Sequence, residues 1–209
     1  MILDKEIYVI DDFIDLEYQE DIRTILMSDY QFQGKDFPWY YIQDVTAEGD
    51  VDSQNRAALA HEYIVFDEDQ SVEDQKATEE IDLFHYLFLP MLKHVCVRMN
   101  IKKINVLQGR SFLQFPLNLK DRTPDTPHID IEDKEHIVAL YYVCDSDGDT
   151  IIYNERKDQG LEAKSYTIKE KVTPKQGRMV IFDGTLYHTA EQPKNSDMRC
   201  VVNYDLEPS

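Results

Sequence analysis

Two segments of the chain carry apolar residues at the spacing of an amphipathic helix, with one apolar residue every three or four positions. The first extends from Asp15 to Ser28, and its stripe contains Tyr18, Ile22, Ile25 and Leu26. The second extends from Glu79 to Met99. The pattern predicts a helix at each place, and Pro90 is expected to kink or divide the second helix because it lacks a backbone N–H.

Short apolar runs separated by turn residues predict strands elsewhere. Early candidates are Ile7–Ile10, a strand that opens with the aromatic cluster Phe37–Tyr41, and Ala60–Phe66, which is followed by an acidic loop or helix lead-in at Asp67–Asp74. Later candidates are Ile104–Gln108, Ser111–Leu119, Ile137–Cys144, Thr150–Tyr153, Ser165–Ile168, Met179–Phe182 and Arg199–Leu206. This spacing is typical of an antiparallel sandwich or barrel.

The domain organisation follows from the same pattern. We find no internal repeat, low-complexity segment or linker in the 209 residues, so the sequence predicts one domain over residues 1–209. Residues 1–100 are expected to form a buttress of helices and strands. Residues 101–209 are expected to form the β core that carries the functional motifs.

Charge is distributed unevenly along the chain. The sequence has 22 basic and 41 acidic residues, a net charge of −19, and residues 1–90 alone contain 5 basic and 23 acidic residues. We interpret the acidity as a solvated face, with a surface that selects a basic partner as the alternative. In either case the charge argues against binding to nucleic acid.

Compartment and membrane association are also constrained. No apolar run is long enough to span a bilayer, and the N-terminal residues lack the pattern of a signal peptide. The three cysteines, Cys96, Cys144 and Cys200, are widely spaced and form no CxxC. We therefore expect a cytoplasmic protein without disulfides, and the sequence leaves its oligomeric state open.

The candidate chemistry rests on histidine and carboxylate side chains. Glycine-rich phosphate loops, GxSxG and HExxH are absent, whereas His128-Ile129-Asp130 is the only HxD or HxE triplet in the chain. On a strand, His128 and Asp130 would point to the same side. His188 follows an apolar strand, and Arg199 lies eleven residues further on. Two histidines and a carboxylate form the facial ligand set of non-haem Fe(II) oxygenases, and an arginine fork suits the distal carboxylate of 2-oxoglutarate.

The sequence resembles the Fe(II)/2-oxoglutarate-dependent oxygenase superfamily, in its prolyl 4-hydroxylase-like branch. The resemblance rests on HxD, the distal histidine and the basic residue, and on two further segments, Ala139–Thr150 and Pro174–Phe182. The first segment matches the family's strand and GG-[ED]-T turn, except that Asp147 replaces the first glycine. The segments Phe37–Tyr41 and Gly184–His188 also resemble short oxygenases of marine bacteria and phages.

The resemblance implies a mainly β (α+β) fold, a double-stranded β-helix or jelly roll with the N-terminal and central helices packed on one side. It implies Fe(II) held by His128, Asp130 and His188, and 2-oxoglutarate held by Arg199, with Tyr142, Thr150 and Gln114 as further contacts. The three ligands and Arg199 are the expected catalytic set. O₂ is the expected cosubstrate, and ascorbate is a candidate reductant.

The function implied is hydroxylation of an aliphatic C–H with release of succinate and CO₂. A peptidyl proline or other protein side chain is the first expected substrate class, and a small molecule is the second. Two alternatives from other classes stay open. One is a non-catalytic, cupin-like metal-binding or interaction module, and the other is an acidic interaction protein.

Overall fold

The computed structural model describes residues 3–45, 55–65, 82–117, 124–132, 134–157 and 165–209. These residues form two helices, α1 (Leu16–Met27) and α2 (His85–Arg98). They also form ten strands: β1 (Ile7–Ile10), β2 (Tyr40–Ile42), β3 (Ala58–Ile64), β4 (Ile104–Gln114), β5 (Ile137–Tyr142), β6 (Thr150–Arg156), β7 (Ile168–Val172), β8 (Met179–Asp183), β9 (Leu186–Ala190) and β10 (Arg199–Pro208). Over the part of the chain described, neither helix is long and apolar enough to cross a bilayer.

The strands form two antiparallel sheets. The larger sheet has the order β1-β8-β5-β10-β4-β3-β2, and the smaller has the order β7-β6-β9. Strands β1, β2 and β3 come from the first hundred residues and extend both edges of the sheet that β4, β5, β8 and β10 build. The two predicted parts of the chain therefore share one sheet, while the single-domain organisation and the cytoplasmic location stay predictions.

Side-chain alternation divides the buried residues into two cores. On β5, Ile137, Ala139 and Tyr141 pack with the apolar faces of α1 and α2, whereas Val138, Leu140 and Tyr142 face the smaller sheet. Strands with both faces buried read as continuous apolar runs, as β5 and β8 do. Both helices lie on the outer face of the larger sheet, which confirms that part of the predicted fold class, and the inner space between the sheets is left for the site.

Helix α1 begins and ends where the sequence predicts. The Asp15 side chain accepts a hydrogen bond from the backbone N–H of Tyr18 at 3.0 Å, and Ser28 ends the helix. Helix α2 begins at His85, later than the predicted Glu79, and of the two predicted effects of Pro90 division does not occur, because Pro90 lies inside one helix. Because Pro90 has no backbone N–H, it does not donate to the carbonyl of Tyr86, a residue that is half exposed.

Three strand predictions are corrected. Strand β4 is one continuous strand where two were predicted. Gly109 lies inside it because the Tyr204 ring packs against the backbone at that position and leaves no room for a Cβ. Strand β9, which begins at Leu186 and contains His188, was not predicted. Strand β7 begins at Ile168, where the predicted strand ended.

Some predictions concern residues outside the part of the chain that the structure describes. Residues 66–81, Leu119 and Lys164 lie outside. Four basic residues between 165 and 178 form ion pairs on the surface: Lys169 with Glu6, Lys171 with Asp149 and Glu191, and Lys175 and Arg178 with Asp11.

Candidate active site

A cavity of about 320 Å³ opens between the two sheets, and its floor is built by β4 and β10. Because side chains alternate along a strand, every second residue of each strand faces the cavity. The pairing register aligns these residues in three rows: Arg199 with Gln114, Val201 with Phe112, and Asn203 with Arg110. The floor is therefore polar at both ends and apolar in the middle.

The two predicted histidine ligands are brought together by backbone pairing. His128 and His188 form a reciprocal bridge in which each backbone N–H donates to the other carbonyl at 3.0 Å. The ring centroids lie 4.6 Å apart. His128 and Asp130 thus lie in an extended segment with a single bridge, and not on the regular strand that the HxD argument assumed. That segment still directs both side chains to the same side.

Asp130 completes the cluster. Its Oδ2 lies 3.3 Å from Nε2 of His188, and its Oδ1 lies 3.6 Å from Nε2 of His128. The three donor atoms lie within 4.8 Å of one another. Ligands at right angles around a metal ion with bonds of about 2.1 Å are roughly 3 Å apart, so these separations fit a single ion. The donor set fits Fe(II), with positions left for further ligands.

The carboxylate of Asp130 is buried and ionised. Burial alone would raise the pKa of Asp130, but the Arg110 guanidinium and the neighbouring histidines outweigh burial and hold that pKa well below its usual range. Burial lowers the pKa of His188, which favours the neutral imidazole that binds metal. Asp130 and His188 are therefore in the forms that bind a divalent cation. At His128, burial is outweighed by the hydrogen bond to Asp130, which raises the pKa of that histidine, so a metal ion competes with a proton there.

Arg199 lies at the other end of the cavity floor and is held by three acceptors. Its Nε donates to the Gly148 carbonyl at 2.9 Å, Nη1 to Gln114 Oε1 at 2.7 Å, and Nη2 to Thr150 Oγ1 at 2.8 Å. Only 4% of the residue is exposed. Burial lowers the pKa of Arg199. The pKa of a guanidinium is so high to begin with that Arg199 nevertheless remains a cation.

The remaining predicted contacts surround Arg199 in different ways. Gln114 and Thr150 line the cavity and bond Arg199 directly. Tyr142 lies behind Thr150: its hydroxyl donates to Thr150 Oγ1 at 2.7 Å, and its ring lies 5.9 Å from the Arg199 guanidinium carbon. The structure thus places all seven predicted residues in or directly behind one cavity. Their roles toward metal and cosubstrate remain proposals.

Asp147, at the position where the resemblance expects a glycine, has a structural role. Its carboxylate accepts hydrogen bonds from the backbone N–H groups of Lys194, Asn195 and Ser196 at 2.8 to 3.3 Å. These bonds tie the loop before β10 to the turn that contains Gly148. A Cβ at Gly148 would lie 2.5 Å from the Glu191 carbonyl oxygen and 3.1 Å from Arg199 Cδ. The second glycine is therefore needed, and the first is not.

Sequence reasoning missed three polar residues beside the candidate metal ligands. Arg110 donates a hydrogen bond to Asp130 Oδ1, and Asn203 Nδ2 donates to Oδ2 at 3.3 Å. Asp205 is fully buried beside them, and burial together with the Asp130 charge raises its pKa well above the usual range. The signal was present, because polar residues recur at alternate positions within the otherwise apolar strands β4 and β10.

The other four histidines lie away from this cluster. His61, His85 and His136 are buried. His61 Nδ1 donates to the Pro38 carbonyl and His136 Nδ1 to the Lys134 carbonyl, and His85 Nδ1 shares a hydrogen bond with the Tyr204 hydroxyl. His94 is exposed on α2. None of the four belongs to the candidate metal cluster.

No family model matches the sequence, and no curated protein matches it significantly. Solved structures match it closely in shape. A 2OG-Fe(II) oxygenase family oxidoreductase from Burkholderia pseudomallei is 9% identical, with a TM-score of 0.62 over 97% of this chain and 85% of that chain.

Two further structures contain the cosubstrate. The viral collagen prolyl hydroxylase vCPH from Paramecium bursaria Chlorella virus-1, solved as its 2OG complex, is 12% identical, with a TM-score of 0.52 over 99% of this chain and 97% of that chain. HygX from Streptomyces hygroscopicus, solved with nickel, 2-oxoglutarate and hygromycin B, is 13% identical, with a TM-score of 0.53 over 98% and 83%. At these identities the likeness is one of fold. The predicted jelly-roll core is confirmed, and the chain has the fold of the Fe(II)/2-oxoglutarate oxygenases.

Proposed function

We propose that this chain is an Fe(II)- and 2-oxoglutarate-dependent oxygenase that hydroxylates an aliphatic C–H. One observation carries the proposal: a compact His-Asp-His cluster and a buried arginine line the same cavity, at opposite ends of one floor. The rows of Arg199 and Asn203 lie four residues apart along β10, roughly 13 Å from backbone to backbone. Side chains from both ends line the cavity between these rows, and we propose that 2-oxoglutarate binds there with one end at the metal and its distal carboxylate at Arg199.

The chemistry divides between the bound groups and the protein. Iron and 2-oxoglutarate, when bound, would activate O₂, which is the oxidant: one oxygen atom would enter the C–H bond and the other would enter succinate as 2-oxoglutarate loses CO₂. His128, Asp130 and His188 would hold the iron. Arg199 would bind the distal carboxylate, and its three acceptors fix the guanidinium before the ligand arrives, so little conformational entropy is lost on binding.

Charge also favours a dicarboxylate at this end of the cavity. The chain has a net charge of −19, which on its own disfavours a dianion. Salt screens distant surface charges over about 8 Å, whereas a buried cation acts at close range with little screening. Arg199 therefore outweighs the remote acidic residues where the ligand would bind.

Apolar side chains enclose the middle of the cavity. Phe112, Leu140, Phe182 and Val201 line it between the polar ends, and Phe182 packs 5.0 Å from the His188 ring. These residues exclude water from the reacting centre, which strengthens the electrostatic contacts at both ends.

The substrate has two candidate classes. The sequence resemblance favours a peptidyl proline or other protein side chain, and vCPH, named as a collagen prolyl hydroxylase, has this fold. HygX, solved with hygromycin B, shows that the fold also binds small molecules. We propose the peptide class first and the small-molecule class second.

A substrate-free spectrum tests the proposal. Metal-free protein is mixed anaerobically with Fe(II) and then with 2-oxoglutarate, and the visible charge-transfer band of the chelated cosubstrate is recorded. We expect the band in wild-type protein, its loss in His188→Ala, and a much higher 2-oxoglutarate requirement in Arg199→Met. His94→Ala, a change on the exposed side of α2, is the matched control. A folded wild-type protein that gives no band at saturating iron would refute the proposal.

A further inference from the structure

The buried carboxylate of Asp130 is gripped from two sides by residues outside the recognised motif. Arg110 on β4 donates to Oδ1, and Asn203 on β10 donates to Oδ2 at 3.3 Å. The two residues are direct cross-strand partners, so their separation is fixed by the sheet. Arg110 also lies over the Phe112 ring, with its guanidinium carbon 5.3 Å from the ring centroid.

Asp130 and Arg110 are both buried, so the hydrogen bond between them is needed to compensate the charge of the carboxylate. The Asp130 side chain is 2% exposed and that of Arg110 is 9% exposed. An ionised carboxylate at such a depth requires a partner, because removing its counter-charge leaves an uncompensated buried ion. Asp130 itself follows a single backbone bridge and has no regular strand to hold it. The orientation of its carboxylate therefore depends on the side chains that contact it.

We propose that Arg110 and Asn203 are positioning residues that hold the carboxylate of Asp130 in its metal-binding orientation. The inference rests on the proposed function and assigns to it two residues that no sequence motif indicates. Hydrogen-bonded outer partners of metal ligands fix ligand orientation, and their loss typically weakens metal affinity by about 10- to 100-fold. Because both donors come from the rigid floor of the cavity, the ligand is oriented before the ion arrives.

A competing effect has the opposite sign. The Arg110 cation repels a divalent metal ion and draws on the same carboxylate, so its removal would tighten metal binding if charge repulsion dominated. The two effects are separated by the direction of the change in affinity. They are also separated by Asn203, which is neutral and exerts no such repulsion.

The experiment uses Co(II), a redox-inert probe with a visible spectrum, on the full chain. Calorimetry and the Co(II) absorption spectrum are compared for wild type, Arg110→Met, Arg110→Lys and Asn203→Leu, with circular dichroism as the check on folding. We expect Co(II) affinity to fall about 10- to 100-fold in Arg110→Met and by a similar or smaller factor in Asn203→Leu. Arg110→Lys should recover part of the loss.

Matched controls define the specificity of the effect. Arg156→Met removes a partly buried arginine that is paired with Glu6 and Asp183 and with none of the three candidate ligands, and it should leave Co(II) affinity unchanged. Arg199→Met should also keep Co(II) affinity while weakening 2-oxoglutarate binding to the Co(II)-loaded protein. Arg110→Met should weaken Co(II) binding, but at saturating Co(II) it should bind 2-oxoglutarate as the wild type does.

Each outcome decides the matter. Co(II) affinity that is equal to or tighter than wild type in the folded Arg110 variants and in Asn203→Leu overturns the positioning role. If Arg110→Met does not fold, the neutral Asn203→Leu variant and Arg110→Lys carry the test by the same criterion. Wild-type protein without His188-dependent Co(II) binding would instead refute the proposed function, so the two failures are distinguishable.

Discussion

Thr150 is the junction of the hydrogen bonds that hold Arg199, and its replacement by valine tests that arrangement. Thr150 Oγ1 accepts one bond from Tyr142 Oη at 2.7 Å and one from Arg199 Nη2 at 2.8 Å. All three residues are 4% exposed or less. Burial raises the pKa of Tyr142, so its hydroxyl stays protonated and donates. Valine keeps the shape of threonine and removes the acceptor for both donors.

The magnitude follows from what each change leaves without a partner. Thr150→Val leaves two buried donors without a partner, at about 1–3 kcal/mol each, so we expect a loss of roughly 1–5 kcal/mol after the added methyl group recovers about 0.8 kcal/mol. Tyr142→Phe removes a donor and strands nothing, because Thr150 still accepts from Arg199. Its expected cost is only about 0.5–1.5 kcal/mol.

The double variant provides the sharpest comparison. Tyr142→Phe combined with Thr150→Val leaves only the Arg199 donor without its partner, so it should be more stable than Thr150→Val alone by about 1–2 kcal/mol. Urea unfolding of metal-free protein at pH 7, followed by far-UV circular dichroism, gives the four free energies. Additive losses, with the double variant as the least stable, would refute the reasoning.

Three further changes have defined outcomes. Asp147→Asn should lower the free energy of unfolding by about 1–2 kcal/mol at pH 7. Three backbone N–H groups outweigh burial and lower the pKa of Asp147, so its stabilising effect is complete above its ordinary pKa and is lost as the pH falls through the lowered pKa. Urea midpoints measured across acid pH would show this loss in the wild type and not in the variant. Gly148→Ala forces a Cβ to 3.1 Å from Arg199 Cδ, and calorimetry should show 2-oxoglutarate affinity reduced about tenfold or more, while Co(II) affinity is kept. Phe182→Ala empties a fully buried position between the sheets, and urea unfolding should show a loss of about 3–5 kcal/mol, whereas a loss below 1 kcal/mol would contradict the packing described.

The sequence predicted those elements whose residues follow a single local pattern, such as a continuous apolar run or a capped helix. Strands β5 and β8 are buried on both faces and read as continuous apolar runs, and α1 has a cap at each end. Strand β4 was divided in two because Gly109 and Arg110 interrupt its apolar pattern. Gly109 accommodates the Tyr204 ring, and Arg110 meets a carboxylate twenty residues further on. Both reasons lie in long-range contacts that local patterning does not contain.

The same distinction applies to the site. His128, Asp130, His188 and Arg199 were predictable because their residue types and spacing are restricted by the metal and by a carboxylate ligand. Arg110, Asn203 and Asp205 were not, because their positions depend on the register between β4 and β10 and on where the extended segment of Asp130 crosses that pair. What these three residues have in common in the sequence is that each belongs to a series of polar residues at alternate positions of an otherwise apolar strand.

The central claim is that the cavity performs oxidation and does not only bind a metal and a dicarboxylate. The most direct test forms the anaerobic complex with Fe(II) and 2-oxoglutarate, mixes it with O₂-saturated buffer, and quantifies succinate by proton NMR. We expect succinate in proportion to iron-loaded protein in the wild type, even without a substrate, and none above background in His188→Ala. A complex that forms fully, yet yields the same succinate as His188→Ala on exposure to O₂, would contradict the claim and favour a cupin-like binding module.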